Sequence, residues 1–169
     1  GTTKPGTLLK QSIPVRTFAE WDDAIPGFME VDLVAHNGGS SRGEHLHSLD
    51  MVDVRTRWTE CLGIINRSQI AVSAAIDSCR QRLPFPLLGL DSDNGAEFIN
   101  ANLKRYCEQE QITFTRCRPY KKNDQAYVEQ KNWTAVRQLV GYDRYEGPAA
   151  CEALNALYAT TRLYVNFFQ

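Results

Sequence analysis

PLLGLDSDNGAEFIN (86–100) is the stretch on which the fold turns. Its first half is a short apolar run ending in acidic residues, the pattern of a buried strand. Its second half turns at Asn94-Gly95, and Phe98 to Gln109 then predicts a helix capped near Asn100 or Asn102. A strand that hands over to a helix through a tight turn is the repeating joint of an α/β sheet. Such sheets place their chemistry at the carboxyl ends of strands, and Asp93 sits at that joint.

Upstream, FMEVDLVAH (28–36) predicts a strand that ends in the glycine- and serine-rich turn NGGSSRG. EHLHSLDMVDVRTRW (44–58) and TECLGII (59–65) are rich in β-formers and predict two antiparallel strands. SQIAVSAAIDSCRQRL (68–83) has helical spacing, with Ile70, Ala74 and Ile76 on one side and Asp77 and Arg80 on the other. Downstream, ITFTRCRP (112–119) alternates as a strand and YKKND (120–124) is a polar loop. Asn123 or Asp124 then offers a cap for a helix over 125–142 that stops near Gly141. A last helix is expected over 147–168, with Leu154, Leu157, Tyr158 and Leu163 at helical spacing. Three strands followed by alternating helices and strands predict one mixed sheet with helices on its faces. Residues 1–25 are expected as an N-terminal linker or extension, and 26–169 as a single core domain.

A chain of 169 residues is long enough for one real core. With 43% apolar and 23% charged residues it is ordinary globular material, and no stretch is long and apolar enough to span a membrane. Five cysteines, an odd number without C-x-x-C spacing, argue against a disulfide framework and against structural zinc. His36, His45 and His47 have no tight metal spacing either. Net charge is −1, yet seven cations face only three carboxylates between Arg116 and Arg144, leaving that segment at +4 and the rest at −5. A local phosphate-binding face is plausible; a wholly basic surface is not.

Three carboxylates lie where chemistry is usually placed: Asp32 inside the first strand, Asp93 at a strand end, and Glu129 in the first turns of the helix after the basic loop. Carboxylates brought together repel, and divalent cations relieve the repulsion. Two Mg²⁺ ions about 4 Å apart would make a phosphoryl-transfer site of them. Glu30, Asp50, Asp91 and Asp124 are expected as solvated carboxylates or caps.

DSDNGAEFIN (91–100) resembles the D-N-G-x-E-F segment of retroviral-type integrase cores and bacterial insertion-sequence transposases. RPYKKNDQAYVEQKN (118–132) resembles the segment around their catalytic glutamate, PGFMEVDLVAH (26–36) the segment of their first aspartate, and LDMVDVRTRW (49–58) their second strand. VNFFQ (165–169) is similar to their closing stretch, and 35 residues separate Asp93 from Glu129, the spacing of that DDE family. The resemblance covers about residues 26 to 169.

It implies a ribonuclease-H-like α/β fold, with a five-stranded mixed sheet flanked by helices. It further implies that Asp32, Asp93 and Glu129 are catalytic and hold Mg²⁺ or Mn²⁺, two ions in all. Asn94 would support the turn by hydrogen bonds and Gly95 by backbone freedom; Glu97 is expected in a structural role. Lys121, Lys122, Lys131 and Arg137 are the candidate DNA-binding residues; Tyr120, Tyr127 and Trp133 interleave with them and could stack on bases, with core or surface packing the expected job of Tyr127 and Trp133. Helical neighbours of Glu129 fall at 132, 133, 136 and 137. Many relatives place a basic residue seven after the glutamate, where this chain has Val136.

The implied reaction is metal-dependent DNA cleavage and strand transfer by a polynucleotidyl transferase in the bacterial cytoplasm, at the nucleoid. The implied partners are DNA, as element ends and target, and further copies of the chain; no membrane is involved. Two alternatives share the sequence features: a metal-dependent nuclease on the same fold, and a non-catalytic remnant that binds DNA or a partner.

Overall fold

The computed structural model describes residues 6–17, 21–119 and 121–169. After a short helix α1 (Thr7–Ser12), three strands follow in sequence: β1 (Phe28–Ala35), β2 (His47–Asp53) and β3 (Thr59–Ile64). Then come α2 (Gln69–Arg82), β4 (Gly89–Ser92), α3 (Ala101–Gln109) and β5 (Thr113–Arg116). A 3₁₀ turn (Lys122–Gln125) leads into α4 (Ala126–Lys131), a π-helical turn (Asn132–Arg137), α5 (Gln138–Val140) and the long α6 (Gly147–Phe168). The five strands form one mixed sheet in the order β3-β2-β1-β4-β5. The first three strands are antiparallel, and β1, β4 and β5 are parallel. This is the expected architecture, a five-stranded mixed sheet flanked by helices.

Because strand side chains alternate between faces, β1 divides into two sets. Met29 and Val31 join Leu49, Met51, Leu90 and Phe114 on an apolar face, covered by Val72, Ile76 and Cys79 of α2 and by Leu103 and Cys107 of α3. The opposite face carries Glu30 and Asp32 on β1, Ser48 and Asp50 on β2, and Asp91 on β4, and it lies beneath α4 and α6. The sheet therefore has one oily side and one buried polar side.

The phase of α2 differs from expectation. Val72, Ala75, Ile76 and Cys79 face the core, whereas Ile70 is 78% exposed. Apolar residues crowd this helix from 70 to 76, so their periodicity is ambiguous. Cys79, behaving as a small hydrophobe, decides which side turns inward. Ser68 caps the helix by accepting from Ala71 N–H.

The described part of the linker or extension expected over 1–25 packs against the sheet. Ile13 is 1% exposed within the main core, and Val15 bridges Arg116 at the open edge of β5. Arg16 N–H donates to Arg116 O at 3.0 Å, and Arg116 N–H donates to Pro14 O at 3.0 Å. The segment acts as a short added strand because β5 otherwise presents unpaired backbone groups. Ile13→Ala is expected to lower unfolding stability by about 2–5 kcal/mol, the range for emptying a core position. Urea denaturation followed by circular dichroism measures it, and a loss below half a kcal/mol would return the segment to the status of a tether.

Candidate active site

The sheet register sets two of the three carboxylates. Parallel β1 and β4 place Glu30 beside Asp91. Two residues further along each chain, on the same face, stand Asp32 and Asp93, the latter just past the end of β4. Adjacent strands run about 4.8 Å apart, so the two carboxylates are neighbours. Glu129 comes from α4, which lies over this face with its side chain exposed.

Asp32 is half-buried and doubly held: Oδ1 accepts from Leu33 N–H at 2.8 Å and Oδ2 from Asn132 Nδ2 at 3.0 Å. Its pKa is pushed up to about 6. Burial is the largest cause, and the negative charges of Asp93 and Glu129 push in the same direction. Asp93 Oδ1 accepts from Gly95 N–H at 2.8 Å. Among the described residues, no three His, Cys, Asp or Glu side chains lie close enough to grip one metal ion as they stand. The acidic set is thus gathered around Asp32 but not closed.

Gly95 serves the turn through space rather than through backbone freedom. Its φ is not among the positive values. A Cβ at this position would lie 2.7 Å from Glu97 Oε1 and 2.9 Å from Asp93 Oδ1, so any side chain would wedge between the two carboxylates. Asn94 ties the turn to the end of β5, donating to Cys117 O at 3.2 Å and accepting from Arg116 Nη1 at 3.4 Å.

Three of the four acids expected as solvated carboxylates or caps are the least solvated groups of the site. Glu30, Asp50 and Asp91 are each 0% exposed. Burial pushes Asp91 up to about 6 and Asp50 well above the carboxylate range. Asp50 pairs with Asp32 across β1 and β2, and its Oδ2 has no hydrogen-bond partner among the described residues. Asp124 is clamped by Arg118, whose backbone N–H and guanidinium both donate to it. It therefore does not cap α4.

The sequence model of the integrase core domain family matches residues 23–122. The chain belongs to the integrase core family. That match contains Asp32 and Asp93 and ends before Glu129. The y4rM protein of Sinorhizobium fredii, whose function is uncharacterised, is 47% identical over 163 residues. The alignment takes in 96% of this chain and 47% of that protein, so the chain spans about half the length of this curated relative. The crystal structure of the catalytic core domain of BIV integrase superposes with a TM-score of 0.63, covering 84% of each chain at 21% identity. The shared fold is the ribonuclease-H-like one.

The integrase core disposes its basic residues unevenly. Lys121 is exposed, whereas Lys131 is buried at 7% exposure, and its charge draws the raised pKa of Asp50 back down. Arg137 donates to Ala35 O at 2.9 Å and Gly141 O at 3.3 Å and lies over Tyr142, so its guanidinium is occupied by the fold. The side chain of Lys122 and all of Tyr120 lie outside the described residues. Tyr127 is half-buried, 3.5 Å beneath the Arg57 guanidinium. Trp133, by contrast, is 52% exposed one turn beyond Glu129.

Simple α-helical counting from Glu129 fails past Lys131 because the π turn inserts extra residues per turn there. Val136 is fully buried. Asn132, the partner of Asp32, went unassigned by the sequence. Helical spacing places it beside Glu129, but only charged neighbours attract notice in such a count.

Proposed function

We propose that this integrase core catalyses divalent-metal-dependent cleavage and joining of DNA strands, with Asp32, Asp93 and Glu129 as its catalytic set. The observation that carries the reading is the gathering of acids at Asp32: the β1–β4 register sets it beside Asp93, and its pKa is raised to about 6, mainly by burial, with the charges of Asp93 and Glu129 adding to it. Unrelieved negative charge on hard oxygen donors suits Mg²⁺ or Mn²⁺, which prefer such ligands and keep several waters. When bound, one or two such ions supply Lewis acidity and charge neutralisation at a phosphodiester.

The chain's own residues do the positioning. Asn132 and Leu33 hold the two oxygens of Asp32 in one orientation, and Gly95 N–H holds one oxygen of Asp93. Exposed Trp133 offers a face on which an unpaired base can stack, and exposed Lys121 offers a cation to phosphate. Water cleaves beside an element end and frees a 3′-hydroxyl, which then attacks a target phosphodiester. One P–O bond replaces another in the joining step, so no nucleotide cofactor is required. Paired DNA ends call for more than one copy of the chain.

A calorimetric titration with Mn²⁺, comparing this chain with Asp93→Asn, tests the set. Binding by the unsubstituted chain and a loss of at least about tenfold in the variant are expected. Repeating the titration with a short duplex shows whether DNA completes the site. No binding at millimolar metal, even with duplex, would leave a non-catalytic DNA- or partner-binding domain. If the full-length protein nicks DNA but never joins it, the reaction is that of a nuclease.

A further inference from the structure

Helix α4 carries Glu129, yet it has no cap of its own. Gln125, at its N-cap, makes no side-chain cap bond and instead donates to Asp91 O at 2.9 Å. Local candidates exist in Asn123 and Asp124, but the first-turn amides bind elsewhere. Tyr127 N–H and Val128 N–H each donate at 3.0 Å to Glu30 Oε1, on strand β1. The other oxygen of Glu30 accepts from Arg16 Nη1 at 3.0 Å. The same Arg16 nitrogen lies 3.4 Å from Asp91 Oδ2, and Nη2 donates to Asp124 O at 2.6 Å, in the turn leading into α4.

We infer that Glu30 and Arg16 are positioning residues for the catalytic site, docking the helix that bears Glu129 onto the strand that bears Asp32. The inference rests on the proposed role of that pair. Asp32 lies two residues beyond Glu30, about 7 Å along the strand. Glu129 directly follows Val128. The path from one proposed ligand to the other is therefore short, running through the Glu30 carboxylate.

Three physical points favour this use over plain structural filling. The helical run over 126–140 is barely as long as the roughly 12–15 residues that hold together alone and is interrupted by a π turn, so the placement of its first turn leans on tertiary ties. A carboxylate at a helix N-terminus is favoured by the helix dipole, and its bonds to N–H groups are charge-assisted. A fully buried carboxylate is also an expensive cap where solvated Asn or Asp would serve, and its return is a fixed register between two elements. Arg16 adds the N-terminal segment to the same joint, beside Trp21, whose ring lies 4.8 Å from the guanidinium.

The test uses Mn²⁺ affinity by calorimetry and amide hydrogen exchange over 126–131, both at temperatures where each variant is folded. Glu30→Gln turns an amide donor toward Arg16 and breaks the ion pair. It is expected to weaken Mn²⁺ binding about tenfold, the scale of groups that orient ligands, and to speed exchange at Tyr127, Val128 and Glu129. Arg16→Met, which leaves the two backbone bonds in place, is expected to shift both readouts the same way by less. If the thermal midpoint falls while affinity and exchange in both variants match the unsubstituted chain, Glu30 is structural filling and the inference is overturned. Glu129→Gln is the control. Should it leave Mn²⁺ binding intact, the functional reading fails, and the exchange pattern alone decides whether Glu30 docks the helix.

Discussion

Glu129→Gln is expected to reduce strand transfer by the full-length protein at least about 10³-fold while leaving the fold as stable as before. A thousandfold corresponds to about 4 kcal/mol of lost transition-state stabilisation, a fair share of what metal ions supply to phosphoryl transfer. The stability half of the expectation follows from the local electrostatics. Glu129 is exposed, and its carboxylate makes no hydrogen bond or ion pair with the described residues. Its charge pushes the pKa of Asp32 upward, so the two ionised groups oppose each other in the folded chain. A neutral isostere relieves that opposition, and any change in stability should be small and positive, the usual trade between a strained site and a stable one. Urea midpoints and a joining assay on the same preparations measure both halves. Joining that persists within tenfold would remove Glu129 from the catalytic set, and a stability loss of 2 kcal/mol or more would make it a structural residue.

How much of this was legible in sequence depends on where each constraint lies. The strands and α6 were legible because period-2 and period-3.6 patterns, with proline and glycine stops, are local. The pairing of Asp32 with Asp93 was legible through the joint at 91–95 and the spacing to Glu129, which belong to a recognisable family pattern. The buried acids were not. Met29 and Val31 alternating with Glu30 and Asp32 look like a strand with one wet face. Nothing within the strand announces that α4 and α6 roof that face, or that Arg16 reaches over from the N-terminal segment. The basic residues misled for a related reason. Charge suggested that Lys131 and Arg137 face DNA, whereas Lys131, ahead of the π turn, is buried near Asp50, and Arg137, within that turn, is bonded to Ala35 O and Gly141 O. Asn132 was invisible because an amide carries no charge to notice, although it makes the contact that orients Asp32.

Helix α6 shows the same limit at larger scale, and it carries a large expected effect on stability. Strand β3 is at the edge of the sheet, where unpaired backbone groups invite other chains. Asn155 Oδ1 accepts from Gly63 N–H at 2.7 Å, and its Nδ2 donates to Gly63 O at 3.0 Å. Asn166, three turns along, repeats the pattern on Thr59, at 2.7 Å and 2.9 Å. Each amide thus stands in for a residue of a sixth strand. Gly63 permits the approach, since a Cβ there would lie 2.8 Å from Leu154 Cδ2. Between the two amides, Arg162 donates to the fully buried Glu60 at 2.8 Å. Asn166→Ala leaves Thr59 N–H and C=O without these partners, and Asn155→Ala leaves Gly63 N–H without one and Gly63 O with only the weak Cys151 Sγ donor at 3.4 Å, at about 2 kcal/mol each. The two sites are distant enough to add, so Asn155→Ala with Asn166→Ala is expected to cost about 4 kcal/mol and lower the midpoint by roughly 8–16 °C. Asn155→Asp separates the contributions, because it keeps the acceptor for Gly63 N–H but sets a carboxylate against Gly63 O. Thermal unfolding and light scattering read the outcome together. A midpoint unchanged within 2 °C would mean that water replaces the amides at no loss and that the edge is sealed by packing alone. A lowered midpoint with new concentration-dependent scattering would mean that these two side chains are what keeps β3 from pairing with another chain.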